Sequence, residues 1–310
     1  MERPLVSVLM TTYNHGSYLA KAIESVLQQQ TLFAFELILG EDCSTDHTLS
    51  ICHQYVERYP DKVRLITSDH NVGWRANYRR TFEAARGRYV AYCDGDDWWC
   101  DVHKLAKQVE WMEAHADCGL CHTRAHDFLE LTREMRPDPE KHYDDFDHLL
   151  LRLTIANCST LARRDLVAQY YEEVKPQEHP EWLTDDWSMW LWVAAHSKLH
   201  CLEDFMVVHR CLPDSVSHSQ AHLKRIAFCD STMDASLWME EHYGTGRMKF
   251  KILRKRSSVA LWILSYEGTV GEYLHRWWED VKRTPRLALC PEGAGLLVKK
   301  ILFRRKKHNV

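Results

Sequence analysis

Three carboxylates fall within four positions, Asp94-Gly95-Asp96-Asp97, directly after a short apolar run, Tyr89-Val90-Ala91-Tyr92-Cys93. Acids this close repel one another, and a chain that concentrates them at a strand end usually neutralises them with a cation or a hydrogen-bonded ligand. Asp and Gly are also ordinary turn residues, so D-G-D-D alone reads equally well as an acidic turn. Asp94-x-Asp96 provides two oxygen donors and leaves coordination positions for phosphate and water, which suits Mg²⁺ or Mn²⁺. Two more acid pairs stand out. Glu41-Asp42 follows the apolar run Phe35–Leu39, and Asp185-Asp186 opens a Trp-rich helical stretch, His179–Ala195. Acids in a first helical turn are favoured by the helix dipole, so capping is the plain role of Asp185 and Asp186. The chemical role is that of a base taking a proton from an attacking hydroxyl.

The elements that must position these groups alternate regularly. Leu5–Met10, Phe35–Leu39, Val63–Thr67 and Tyr89–Cys93 read as strands. Helical patterns lie between them, with Leu19, Ile23, Val26 and Leu27 on one face of the first, Pro60 stopping the second and Gly87 ending the third. This alternation predicts an α/β fold with a mostly parallel sheet and helices on both faces. Ligands of such sheets sit off the carboxyl ends of the strands. Three polar loops converge on that edge, carrying Thr11 and Tyr13, Glu41 and Asp42, and Asp94, Asp96 and Asp97. Convergence weighs against the acidic-turn reading. No G-x-G-x-x-G and no P-loop lysine follow the first strand, so nucleotide phosphates here would be held by a metal on carboxylates.

Residues 5–112 resemble a family 2 glycosyltransferase with the nucleotide-diphospho-sugar, Rossmann-like GT-A fold. The resemblance is carried by VSVLMTTYNHGSYLAKAIESVLQQQ, then ELILGEDCSTDHT, then NVGWRANYRRTFEAARGRYVAYCDGDDWW. It implies that Thr11, Tyr13 and Asp42, with Glu41 beside them, hold the base and ribose of a UDP-sugar. It implies that Asp94 and Asp96 hold the divalent metal on the diphosphate, Asp96 directly, with Asp97 as neighbour, and that Arg75 and Asn77 make further donor contacts. Cys43 departs from the usual Gly or Asn after the acid pair. In the second acid pair the resemblance makes Asp186 the base of an inverting transfer and Asp185 its neighbour, with an exchange of roles open because Asp185 stands where Glu is commoner. Trp182, Trp187 and Trp190 could stack on an acceptor sugar, although core packing suits Trp190 and Trp192 better. His209–Ser217 is similar to the family's loop that closes over the diphosphate. Arg210 is its phosphate-facing cation, while Leu212 replaces a His of the pattern, and His209 or His218 could take that place.

Between these motifs, 133–147 reads as a polar loop, with Asp144, Asp145 and Asp147 solvated and capping a helix over 147–153. Thr154–Ala162 reads as a strand entering a helix. The expected organisation is a GT-A domain over 1–218, divided into a nucleotide-sugar half (1–115) and an acceptor half (116–218), followed by a helical, basic extension over 219–310.

Composition bounds the rest. At 45% hydrophobic and 27% charged residues the 310-residue chain is an ordinary globular protein. Residues 247–310 hold sixteen Lys/Arg against five Asp/Glu, a balance of +11, which leaves −15 on residues 1–246 under a total of −4. An acidic body with no nucleic-acid motif argues against nucleic acid. The segment Leu296–Lys307, apolar on one side and basic on the other, suits anionic lipid headgroups. Eleven unpaired-looking cysteines, with Cys118 and Cys121 read as buried strand thiols, and an N-terminus without a cleavage region indicate a reducing cytoplasm. No run approaches the roughly 20 apolar residues of a membrane span. The expectation is a metal-dependent (Mn²⁺ or Mg²⁺) inverting glycosyltransferase. It would move a sugar from a UDP-linked donor to a glycan or lipid-linked acceptor in surface-polysaccharide synthesis, in the cytoplasm and peripherally on the inner face of the membrane. The rivals are a sugar nucleotidyltransferase, which would need a Gly- and Lys-rich first loop, and an inactive carbohydrate-binding or membrane-scaffold protein, against which the intact acids argue.

Overall fold

The computed structural model describes residues 3–137, 144–152, 154–213, 215, 219–290 and 296. The chain divides into two compact units. The first comprises 1–146, 154–179 and 192–211, the second 147–153, 180–191 and 212–310.

The first unit begins with the alternation expected: β1 (Val6–Thr12), α1 (Leu19–Leu27), β2 (Phe35–Glu41), α2 (Thr48–Arg58), β3 (Val63–Ile66), α3 (Trp74–Glu83) and β4 (Tyr89–Tyr92). The four strands pair in parallel in the order β3-β2-β1-β4. Beyond β4 the sheet becomes mixed. In chain order there follow β5 (Trp98–Trp99), α4 (Lys104–Ala114), β6 (Cys118–Leu129), β7 (Glu134–Pro137), α5 (Phe146–Leu149), β8 (Leu161–Arg163), α6 (Arg164–Glu173), α7 (Asp186–His196) and β9 (Lys198–Cys211), of which most of α5 and the first half of α7 fall in the second unit. β8 runs antiparallel to both β4 and β6, whereas β9 runs parallel to β6.

Strand alternation divides β1 between two faces. Val6, Val8 and Met10 join the core with Leu19, Ile23 and Val26 of α1 and with Leu105, Val109 and Met112 of α4. Ser7, Leu9 and Thr11 point to the other face, where α3 lies against the sheet. Its approach is close at Gly40: a Cβ there would stand 2.0 Å from Thr81 Oγ1. Only glycine lets the helix come this near, and the closeness brings Asn77 and Tyr78 to the strand ends.

Several sequence expectations give way. The polar segment 133–147 contains a strand: β7 forms a hairpin with β6 and is fully exposed, held by ladder bonds rather than burial, so hydrophobic patterning cannot reveal it. Within Thr154–Ala162 the backbone makes a 3₁₀ turn over Asn157–Ser159, and only Leu161–Arg163 is extended. His209, Arg210 and Cys211 belong to β9 rather than to a loop. Asp214, Val216, Ser217 and His218 of that loop, and the basic segment 297–307, lie outside the described residues. All eleven cysteines are free, and burial pushes the thiols of Cys118 and Cys121 up, as expected of inert strand thiols.

In the second unit α8 (His222–Tyr243), α9 (Lys249–Tyr266) and α10 (Val270–Arg283) pack in sequence around Ala260, Leu261, Leu264 and Tyr273. Arg276 pairs with Asp230 and Asp280, and Arg256 with Asp230 and Asp234, which ties the three helices together. Thr269 and Glu272 form a capping box at the start of α10. Among the described residues no helix is long and apolar enough to cross a membrane.

Candidate functional site

The carboxyl ends of β1, β2 and β4 meet, and the loop acids of the first unit meet with them. Thr11 Oγ1 donates to Asp94 Oδ1 at 2.7 Å, and Gly95 N–H donates to the Thr11 carbonyl at 2.9 Å. The Tyr78 hydroxyl, carried by α3, donates to the same Oδ1 of Asp94. Asn157 Nδ2 reaches Asp94 Oδ2 at 3.4 Å and the Tyr78 oxygen at 3.2 Å. Asp94 is therefore oriented from three elements. Burial, reinforced by the charge of Asp96, raises its pKa, and these hydrogen bonds favour the ionised form in opposition.

Asp96 is the member of the trio turned outward, its side chain 19% exposed, with His15 Nδ1 4.0 Å from Oδ1. Asp97 points the other way. It is buried, its Oδ1 accepts Arg210 N–H at 2.8 Å, and burial pushes its pKa up to about 7 despite the nearby His209. Gly95 has no room for a side chain, since a Cβ would lie 2.7 Å from Thr12 Oγ1 and 2.9 Å from His15 Nδ1. Two raised carboxyls beside an outward one carry an electrostatic burden that a divalent cation relieves. An all-oxygen donor set fits Mg²⁺ or Mn²⁺.

The other expected residues of this unit surround the trio in different capacities. Glu41 is fully buried and accepts from Ser44 N–H at 2.6 Å, Cys43 N–H at 3.2 Å and the Thr67 hydroxyl at 2.9 Å. Cys43, the departure noted in the turn, adopts φ 57° there. Asp42 takes Val72 N–H at 2.8 Å and Gly73 N–H at 3.0 Å, so it fixes the loop leading into α3. Asn77 is buried and donates to the Gly40 carbonyl at 2.7 Å, while Arg80 Nε donates to Asn77 Oδ1 at 2.9 Å. These three acceptors and donors are engaged in fixing the loops. Tyr13 is 43% exposed, as is Trp74. Arg75 lies with its guanidinium 4.7 Å over the Trp74 ring. Arg210 is enclosed: it pairs with Glu130, donates to the Asp96 carbonyl at 2.8 Å and lies over the rings of Tyr18 and Trp98 at 4.5 and 4.8 Å. Its guanidinium thus fixes the backbone of the acid turn.

Asp185 and Asp186 belong to the second unit. Asp185 is buried, and its carbonyl accepts Met189 N–H at 2.9 Å in the first turn of α7. Asp186 Oδ1 accepts Trp187 N–H at 2.7 Å and bonds the Thr184 hydroxyl. Trp182 is buried edge-on against Trp238 at 5.7 Å, and Trp190 is also fully buried, so neither offers a stacking face for a sugar. Trp187 Nε1 donates to Ser236 Oγ at 2.9 Å.

Sequence reasoning passed over Tyr78 and Asn157, which hold Asp94, and His15, which faces Asp96. Tyr78 had a signal in its position next to Asn77. Asn157 had no local signal, since Asp94 lies sixty-three positions away.

Comparisons with known proteins follow the same lines. The model of the family described as Glycosyl transferase family 2 matches residues 7–169. The chain is 31% identical over 326 residues to an uncharacterised protein of Mycobacterium tuberculosis, covering 97% of this chain and 92% of that one. It is 34% identical over 163 residues to TuaG of Bacillus subtilis, a putative teichuronic acid biosynthesis glycosyltransferase, covering 51% of this chain and 62% of TuaG. Among solved structures, residues 1–349 of S. aureus TarS in complex with UDP-GlcNAc superpose with a TM-score of 0.62 at 13% identity, covering 97% of this chain and 92% of that one. The mannosyltransferase PcManGT from Pyrobaculum calidifontis, in complex with GDP-Man and Mn²⁺, gives 0.56 at 16% identity over 97% and 87%. At these identities the structural likeness is one of fold.

Proposed function

The chain belongs to glycosyl transferase family 2 and is a glycosyltransferase of GT-A fold, and we propose that it moves a sugar from a UDP-sugar to a glycan hydroxyl with inversion at the anomeric carbon. The observation that carries the site assignment is the meeting of Thr11, Tyr78 and Asn157 on Asp94 beside the outward Asp96. A divalent cation on Asp96 and Asp94 would neutralise the leaving diphosphate. Tyr13 and Trp74 are the exposed rings flanking the donor loops, and Arg75 is the cation beside them, so these groups face the nucleotide. Glu41, Asp42 and Asn77 act on the donor by fixing the loops that touch it. Asp97 and Arg210 hold the acid turn in place.

Asp186 takes the proton from the acceptor hydroxyl as that oxygen attacks, with Asp185 as its neighbour. Support for this role is the resemblance of Asp185-Asp186-Trp187-Ser188-Met189-Trp190 to the family's E/T-D-x-x-x-W/L element, in which the second acid is the base. The organisation we favour keeps the catalytic domain within 1–218 and the basic helices beyond it. The relation to TuaG supports a place in surface-polysaccharide synthesis. The decisive measurement is nucleoside diphosphate release from a panel of UDP- and GDP-sugars with and without Mn²⁺. Asp96→Ala and Asp186→Asn should each lower turnover by on the order of 10²-fold or more. Normal turnover by either variant overturns its assignment, and release that does not depend on added metal removes the cation from the mechanism.

The basic extension supports a lipid-linked acceptor at the inner membrane face. Its α9 and α10 expose Trp262, Tyr266 and Trp278 at 55%, 64% and 53%, and exposed aromatics among basic residues suit the headgroup region. Flotation with anionic but not neutral vesicles checks this reading, and equal partition to both, or to neither, excludes it.

A further inference from the structure

β6 and β9 run parallel with Asp127 opposite His209 and Leu129 opposite Cys211. Residues 209 and 211 are two apart on one strand, so their side chains share a face of the sheet, and Asp127 is directly across from the first. Arg210, between them, points to the opposite face and joins the acid turn through Glu130 and the Asp96 carbonyl. The result is a cluster of three donors, Asp127, His209 and Cys211, whose ligand atoms all lie within 4.8 Å of one another. We propose that this cluster is a transition-metal site, separate from the D-x-D carboxylates, that takes Zn²⁺.

The spacing carries the argument. His209 Nδ1 is 3.2 Å from Asp127 Oδ1 and 3.9 Å from Cys211 Sγ. Tetrahedral Zn²⁺ with bonds of about 2.0–2.3 Å places N and O ligands about 3.4 Å apart and N and S ligands about 3.6 Å apart. Both observed separations are within a few tenths of an ångström of these values, and the Asp127–Cys211 pair lies within the 4.8 Å bound, so rotation of the side chains brings the three donors toward one ion. The donor types carry the selectivity. A thiolate and an imidazole disfavour the hard Mg²⁺ and Mn²⁺ that the all-oxygen acid turn suits, and they favour Zn²⁺. Asp127 and His209 are 40% and 34% exposed while Cys211 is buried. The sulfur therefore anchors from inside, and the fourth position faces solvent, where water completes the tetrahedron. Binding releases the proton of the Cys211 thiol and leaves His209 neutral, since both must ligate unprotonated.

The site has a consequence for the acid turn. β9 is the strand whose Arg210 N–H holds Asp97, and a metal clamping β6 to β9 at residues 209 and 211 fixes that N–H on both sides. This is a positioning role, carried out through Arg210 and not by contact with substrate.

The test uses the full-length protein, first stripped of metal and then titrated with Co²⁺ and Zn²⁺. One Co²⁺ per chain should bind with a thiolate-to-cobalt charge-transfer band that Zn²⁺ bleaches. The band should be lost in Cys211→Ser and in His209→Gln, and retained in Asp94→Asn and Asp96→Asn. Zn²⁺ should also raise the thermal midpoint of the parent protein and leave that of Cys211→Ser, itself a small change, where it is. Absence of the band overturns the proposal, as does a band that survives in both Cys211→Ser and His209→Gln, which would place the cobalt on other cysteines. These readouts do not use sugar transfer, so they stand or fall independently of the glycosyltransferase reading.

Discussion

Thr11 Oγ1 donates to Asp94 Oδ1 across 2.7 Å, so the end of the first strand sets the orientation of the first acid of the Asp94–Asp97 turn. Tyr78 and Asn157 complete that grip. The acid is thus held before any ligand arrives, as electrostatic preorganisation requires.

Thr11→Val and Tyr78→Phe remove one donor each with little change in volume. A hydrogen bond to a charged group contributes about 1.5–3 kcal/mol, and each 1.36 kcal/mol is about tenfold in rate. Each single variant should therefore lose roughly ten- to a hundredfold in kcat, with an increased Mn²⁺ requirement and a nearly unchanged thermal midpoint. Steady-state turnover across a Mn²⁺ titration measures this. Wild-type rates in both variants would show that the hold on Asp94 serves the fold alone.

Asn77 separates a scaffold role from a contact role. It is 2% exposed, and its amide bridges the Gly40 carbonyl and Arg80. Asn77→Ala leaves both without that partner, at a cost of about 1–3 kcal/mol each when buried. The expected outcome is a lowered urea midpoint and, in the folded fraction, donor affinity within about threefold of wild type. Unchanged stability with strongly weakened donor binding would instead make Asn77 a direct donor ligand.

The parallel half of the sheet was legible because its strands are largely apolar runs and Pro60 follows the end of its second helix, whereas the third helix ends at Glu83, ahead of the Gly87 expected to stop it. The acid turn was legible because the loops carrying Thr11 and Tyr13 and carrying Glu41 and Asp42 fall on the same strand-end edge, not from D-G-D-D alone. Other features depend on distance in the chain. Asn157 reaches Asp94 across sixty-three positions, and no local pattern announces such a partner. β7 is exposed and paired by backbone alone, so side-chain periodicity carries no trace of it. Residues 209–211 looked like loop because of the resemblance to a closing segment. In the structure Val207 and Val208, paired to Trp99 and Trp98, continue the strand through them. The burial of Trp182 was equally hidden, since an aromatic next to a catalytic-looking acid has the same letters whether it faces a sugar or Trp238.

Lys104 gives a pH signature of the core. It is fully buried, its Nζ donates to Gln108 Oε1 at 2.7 Å and lies 4.2 Å from the Trp99 ring centroid. Burial pushes its pKa down from 10.5 to about 8. Below about pH 8 both folded and unfolded chains hold the proton, so the desolvation cost is fully present. Between about 8 and 10.5 the folded chain releases the proton while the unfolded chain keeps it. The unfolded state then binds more protons, and stability from this group rises with pH across that window. Lys104→Met removes the titration, so the variant's stability should be flatter than wild type between pH 8 and 10. At pH 7 its gain from relieved desolvation, on the order of 3 kcal/mol, is offset by about 1–3 kcal/mol for the unpaired Gln108 oxygen. The difference in slope is therefore the sharper readout. Urea denaturation of both proteins at half-unit steps of pH measures it, and parallel curves would mean that Lys104 keeps an ordinary pKa in the folded chain.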